Sequence, residues 1–147
     1  MAWSLDTTKA AGDWVAERID GHFAERSVVL GCAVGGKLVA GVIYEAYNHA
    51  SVLAHIAIDG GRLPAGFVGA IFDYPFNVCS VGKIICPVAD GNQKSARLAR
   101  HFGFQAEARI EEAHPSGGIT FYTLKKEACR YLGGRYGQKF TISTPGP

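Results

Sequence analysis

The stretch from Lys83 to Phe104 constrains this chain more than any other: Lys-Ile-Ile-Cys-Pro-Val-Ala-Asp-Gly-Asn-Gln-Lys-Ser-Ala-Arg-Leu-Ala-Arg-His-Phe-Gly-Phe. Lys83 to Ala89 is an apolar run of strand length. Asp90-Gly91 marks a tight turn. Asn92 is a residue type that caps helices, because its side-chain oxygen accepts from the free N–H groups of the first turn. The predicted helix runs from Asn92 to Phe102. Gly103 stops it, and Phe104 to Ile110 resumes as a strand. A strand, a turn, a capped helix and a second strand in 22 residues point to an α/β protein.

The flanking sequence extends that alternation. Asp6 predicts a helix cap, with the helix over Thr7 to Asp20 and Gly21 as its stop. Ser27 to Val34 and Lys37 to Tyr47 are apolar, β-branched runs joined by Gly35-Gly36, the signature of a hairpin. Ser51 to Asp59 is a third strand. Gly60-Gly61-Arg62-Leu63-Pro64 breaks it, Pro64 suits the first turn of a helix, and Pro75 ends or kinks that helix. Ile119 to Leu124 is a last strand and Lys126 to Leu132 a short helical end. The strand–helix–strand unit from Ser51 to Ala89 requires a parallel pair with a right-handed crossover. The expected fold is a mixed β-sheet with helices on both faces.

At 147 residues the chain fits one domain with a real core, and 48% hydrophobic with 19% charged residues is ordinary for a globular protein. The domain is expected to span 1–132. Residues 133–147 carry little apolar material and are expected to form a flexible or partner-docked tail whose removal leaves the melting temperature nearly unchanged. The net charge of +2 does not by itself imply nucleic acid. Cys32, Cys79, Cys86 and Cys129 are far apart, with no Cys-x-x-Cys pair and no histidine at metal-ligand spacing. Reduced, buried thiols in a cytoplasmic protein, with no metal, are the expectation. No apolar run reaches membrane-spanning length, and the N-terminus lacks a signal-peptide pattern.

In element order, and over roughly Ser27 to Leu132, the chain resembles the GNAT superfamily of acyl-CoA-dependent N-acyltransferases. Gly36 to Tyr44 looks like that family's central hairpin strand. Ile71 to Phe76 looks like the end of its cofactor-binding helix, and Asn92-x-x-Ser95 through Gly103-Phe104 like its second signature. Tyr122 to Leu132 looks like the closing segment of small phage and bacterial members. The chain departs from the family in two places. Its phosphate loop, usually Gln/Arg-x-x-Gly-x-Gly/Ala, is represented only by Gly60-Gly61-Arg62-Leu63-Pro64-Ala65. Ala99 stands where many members carry a tyrosine that protonates the departing thiolate. The Asn-x-x-Ser form without that tyrosine resembles ribosomal-protein N-terminal acetyltransferases.

The resemblance implies a cofactor, acetyl-CoA or another acyl-CoA, held between splayed central parallel strands. Ile56, Ala57 and Ile58 would pair with its pantetheine arm. Gly60, Gly61, Arg62, Leu63 and Ala65 would hold the pyrophosphate, since a glycine turn into a helix start presents N–H groups and partial positive charge. The plain alternative is an ordinary glycine-rich turn. His55 is the candidate base for the attacking amine, or else a histidine satisfied by a backbone carbonyl. Glu45 is the rival base, acting through water, or else a solvated strand-end carboxylate. Asn92 combines capping with a contact to pantetheine. Ser95 stands one turn further on as a candidate hydroxyl near the thioester sulfur, or is bonded within its own helix. The expected reaction is direct acyl transfer to an amine on a small molecule, peptide or protein N-terminus, with a homodimer open. A catalytically degenerate GNAT-fold binding or regulatory module is a second reading. A phage-type nucleic-acid modifier is a third, resting on Lys94, Arg97, Arg100 and His101 on the last helix and on Lys125, Lys126, Arg130, Arg135 and Lys139 toward the tail, with a solvated basic face as the plain alternative.

Overall fold

The computed structural model describes residues 2–19 and 23–136. Seven strands form one sheet: β1 (Trp3–Asp6), β2 (Val28–Val34), β3 (Lys37–Glu45), β4 (Ser51–Ile58), β5 (Lys83–Ala89), β6 (Gln105–His114) and β7 (Gly117–Lys125). Their spatial order is β1-β2-β3-β4-β5-β7-β6. All neighbours are antiparallel except β4 and β5. The parallel pair required by the strand–helix–strand unit is therefore present, at the middle of the sheet.

Three helices cover the sheet: α1 (Lys9–Arg18), α2 (Ala65–Asp73) and α3 (Gln93–His101). Strand alternation sends Val29, Ile43 and Ala57 to one face, where they pack on Ala11, Val15 and Ala16 of α1. It sends Leu30, Val42 and Tyr44 to the other, against Phe67, Ile71 and Phe72 of α2. Tyr44 is fully buried there, and its hydroxyl donates to the Ile71 carbonyl at 2.5 Å. That bond satisfies a polar group that burial would otherwise penalise.

Several elements differ from the sequence expectation. Asp6 does not cap α1 but ends β1, a strand the sequence did not announce. Its carboxylate accepts from the Thr8 backbone N–H (2.9 Å) and hydroxyl (2.6 Å), and Thr8 is the cap. The expected stop at Gly21 lies outside the described residues. Pro64 precedes α2 as its cap residue rather than sitting in its first turn. The α-helix ends at Asp73, just before Pro75 as predicted, but the helical path continues. The chain widens into a π-turn over Tyr74–Val78, closed by Cys79 N–H to the Tyr74 carbonyl at 2.9 Å, with Pro75 at its start where no N–H is needed. β6 is longer than expected, and the predicted helical end shrinks to a 3-10 turn at Lys126–Ala128. All ten residues of β6 are exposed, so no burial pattern marks the strand; its pairing with β7 makes it one.

The segment after Leu132 begins docked. Gly134–Tyr136 forms a 3-10 turn, and the Tyr136 ring meets Tyr131 edge-on at 4.9 Å. Its backbone carbonyl presses so closely on α2 that a Cβ at Gly69 would overlap it. Residues 137–147 lie outside the described part.

Candidate active site

The central feature is where the β4–β5 ladder stops. Ser51, Val52 and Leu53 pair with Lys83, Ile84 and Ile85, and no pair follows. The backbone explains the stop. Asp59 N–H bonds the Val39 carbonyl of the strand preceding Ala40, so the odd-numbered residues of β4 turn their N–H and C=O toward β3. Ala54, Ile56 and Ile58 turn theirs toward β5. On β5, Asp90 N–H bonds the Gly118 carbonyl, so even-numbered residues serve β7 and Lys83, Ile85, Pro87 and Ala89 face β4. The next donor to Ala54 would be residue 87, a proline, which has none. The strands part at that point. Sequence reasoning missed this role of Pro87, although a proline inside a strand run is itself a sign of an unpaired edge.

Beyond the split lies a cleft of about 370 Å³ lined by Glu45, His55, Ile56, Cys86, Asn92 and Ser95, among others. His55 and Glu45, read from sequence as rivals, form a pair: His55 Nε2 to Glu45 Oε1 is 2.9 Å. A carboxylate only accepts, so Nε2 is the donor of this bond, and in the neutral ring the lone pair then lies on Nδ1. The opposite wall starts at Asn92, whose side-chain oxygen accepts from Ser95 N–H at 3.1 Å, the predicted cap. Burial pushes the Cys86 thiol up to about 12 and Cys32 to about 11, and also raises Cys79 and Cys129. None is a thiolate nucleophile at neutral pH.

A recess of about 110 Å³ continues along β4, sharing Ile56 and Ser95 with the cleft. Its floor is fixed by charges. Arg18 grips the Asp59 carboxylate with two bonds of 3.0 Å and thereby holds it below its usual range. Lys94 Nζ crosses from α3 to the Ile58 carbonyl at 2.9 Å. Of the three residues expected to pair with pantetheine, only Ile56 therefore presents both backbone groups to the gap. Ala57 faces β3, and the Ile58 carbonyl is engaged.

A third space, about 460 Å³, shares Ile58 and Leu98 with the recess and is lined by Gly61, Arg62, Leu63, His101 and Arg130. Gly60 and Gly61 have φ of 72° and 78°, with open space where a Cβ would sit. Only glycine adopts that backbone without strain and leaves the approach clear. Ala65 begins α2 behind them. Of the residues predicted for an anion, Gly61, Arg62 and Leu63 thus line one end of a trough of adjoining spaces, and His55, Glu45, Asn92 and Ser95 line the other.

Ala99 lines none of these three spaces, so it is not a substitute hydroxyl site there. It is 3% exposed and packs in the core, so a tyrosine there would overfill it. The basic side of α3 is also partly engaged within the fold: Arg100 donates to the Tyr122 hydroxyl, and Arg130 to the His101 carbonyl. Among the described residues no group of His, Cys, Asp or Glu could hold a metal ion, and no helix is long and apolar enough to cross a membrane.

No protein-family model and no curated protein sequence matches the chain. Solved structures do. The spermidine N-acetyltransferase of Vibrio cholerae, solved with CoA and spermine, superposes with a TM-score of 0.66 at 15% identity, over 86% of this chain and 96% of that one. A GNAT-family acetyltransferase of Bacillus anthracis gives 0.64 at 12% identity, over 86% and 96%. A ribosomal-protein alanine acetyltransferase of Vibrio fischeri gives 0.57 at 14% identity, over 71% and 64%. The chain has the GNAT fold, as the sequence resemblance implied.

Proposed function

We propose that the chain is an acyl-CoA-dependent N-acyltransferase that moves an acyl group directly to an amine. The observation that carries the reading is the split between β4 and β5 beyond Leu53 and Ile85, with the His55–Glu45 pair at its mouth.

The residues along the trough fit an acyl-CoA. Ile56 offers an N–H and a C=O with no ladder partner, the pairing that a strand-like amide chain needs. Gly60, Gly61, the first N–H groups of α2 and Arg62 suit a pyrophosphate, and Arg130 and His101 add positive charge nearby. Asn92 serves as cap and as a contact for the pantetheine arm. When bound, acyl-CoA supplies the thioester. Everything else falls to this chain. His55 Nδ1 accepts the amine proton, and Glu45 fixes the ring through Nε2 and stabilises its charged form. Ser95 holds water near the sulfur, and solvent protonates the released thiolate to the thiol.

The acceptor is a primary amine. Spermine bound to one structural neighbour and a protein alanine named for another mark the two classes to test first. The test is release of free CoA thiol from acetyl-CoA against a panel of polyamines, amino acids and peptides, with calorimetric titration of CoA alongside. Micromolar CoA binding and turnover of at least one amine are expected. CoA binding without turnover of any amine would favour a module that has kept the fold and lost catalysis.

A further inference from the structure

On the α2 and α3 side of the split lies a small void of about 30 Å³. Ala54 and Ile56 of β4, Ile84 and Cys86 of β5, and Ala99 and Phe102 line it. Ile56 and Cys86 also line the cleft, so the void adjoins it through the gap between the parted strands. A water-sized group needs about 10–15 Å³ by this measure, so the void holds two or so methylene-sized groups. Its one hydroxyl, Tyr44, is already given to the Ile71 carbonyl. Water would find no partner there, whereas apolar atoms would be buried.

We propose that this void receives the distal carbons of the acyl group, making the chain a transferase for straight acyl groups of three to four carbons in preference to acetyl. The proposal rests on the acyltransferase reading above. The chemistry is unchanged: an amine nitrogen bonds the acyl carbonyl carbon, the carbon–sulfur bond breaks, the amine proton passes to His55, and solvent supplies the proton of the released thiol. Chain length is selected by two small residues, Ala54 and Ala99, which keep the void open from the strand side and the helix side.

The experiment compares kcat/KM for acetyl-, propionyl-, butyryl- and hexanoyl-CoA with the best amine of the acceptor panel. Thermal shifts produced by the same four thioesters without acceptor give a binding readout. Each buried methylene contributes about fourfold, so propionyl-CoA should exceed acetyl-CoA by about fourfold and butyryl-CoA by about fifteenfold. Hexanoyl-CoA should fall below butyryl-CoA, and the thermal shifts should follow the same order. Ala99→Val and Ala54→Val should each return the preference to acetyl while acetyl-CoA turnover persists. If Ala99→Val fails to fold, Ala54→Val carries the test, since a β-branched residue suits a strand. A steady fall from acetyl onward in the unaltered chain overturns the proposal, as does equal loss at every length in a folded variant. If no thioester binds or reacts, the acyltransferase reading itself fails. If acetyl-CoA binds and reacts but longer thioesters do not, only this inference fails.

Discussion

Replacing His55 and Glu45 singly and together tests whether they work as one device. The structure places them 2.9 Å apart, with side chains 24% and 36% exposed. A general base contributes about 10²–10⁴-fold, so His55→Ala should lower kcat by at least about 10²-fold. Glu45 acts through the ring. A hydrogen bond to a charged group is worth about 1.5–3 kcal/mol when sheltered, and partial exposure brings this to about 1 kcal/mol. Glu45→Gln, which keeps the shape and removes the charge, should therefore cost roughly fivefold in kcat with little change in the KM for acyl-CoA. In a His55→Ala background the same change should cost almost nothing, because there is no ring left to orient. Steady-state thiol release under saturating acyl-CoA measures all four proteins. Should Glu45→Gln cost as much with His55 absent as with it present, the pair is not coupled. If Glu45→Gln alone is the more damaging change, Glu45 is the base and His55 its support.

Other perturbations reach the remaining parts. Gly61→Asp should abolish CoA binding by calorimetry in a chain with an unchanged far-ultraviolet spectrum, because it sets a negative charge and a Cβ into the open approach beside Arg62; undiminished affinity would move the phosphate site elsewhere. Asp90 bonds Arg109 at 2.5 and 2.7 Å and Gly118 N–H at 2.9 Å, which depresses its carboxyl well below the usual range. A depressed folded value gives stability that is present above the unfolded pKa near ~3.9 and lost as pH falls toward the folded one. Asp90→Asn should therefore lower the melting temperature at pH 7, with the difference from the unaltered chain shrinking below about pH 4. Truncation after Leu132 removes Tyr136 from Tyr131 and α2, so the melting temperature should drop by several degrees, as expected for about 1–3 kcal/mol in a domain of this size; no change would show that the docked turn contributes nothing.

Where local chemistry and tertiary need coincide, the sequence was readable. The Asn92 cap, the Gly35-Gly36 hairpin and the strand at Lys83–Ala89 stand where their residues predict, because cap, turn and buried run each act within a few residues. β1 was not legible. Trp3–Asp6 is only four residues long, and it becomes a strand through pairing with Gly31 to Val34. The π-turn at Tyr74–Val78 was missed for a related reason: proline forbids a donor but does not dictate what the rest of the turn does. At the site, His55, Glu45, Asn92 and Ser95 were named individually. That the first two touch depends on the register of β3 against β4, where Ile43 sits opposite His55 and brings Glu45 onto the same face. No local pattern encodes that register.

The outermost strand has a consequence of its own. Among the described residues β6 ends the sheet with one flank unpaired, and an open flank of ten residues is a template on which another chain could add. Here the flank is studded with Glu107, Arg109, Glu111 and Glu112. It is also thrown out of register twice, between Ala106 and Ala108 and between Ile110 and His114, with Glu112 in a left-handed backbone at φ 56°. Irregular spacing spoils a continuous match with a second copy, and carboxylates meeting carboxylates repel. The guard is therefore made of charge as much as of shape. Replacing Glu111 and Glu112 with glutamine removes the charge and leaves the backbone register alone. Light scattering at neutral pH should then show concentration-dependent association that the unaltered chain does not show, and an unchanged monomer would mean that the broken register alone protects the edge.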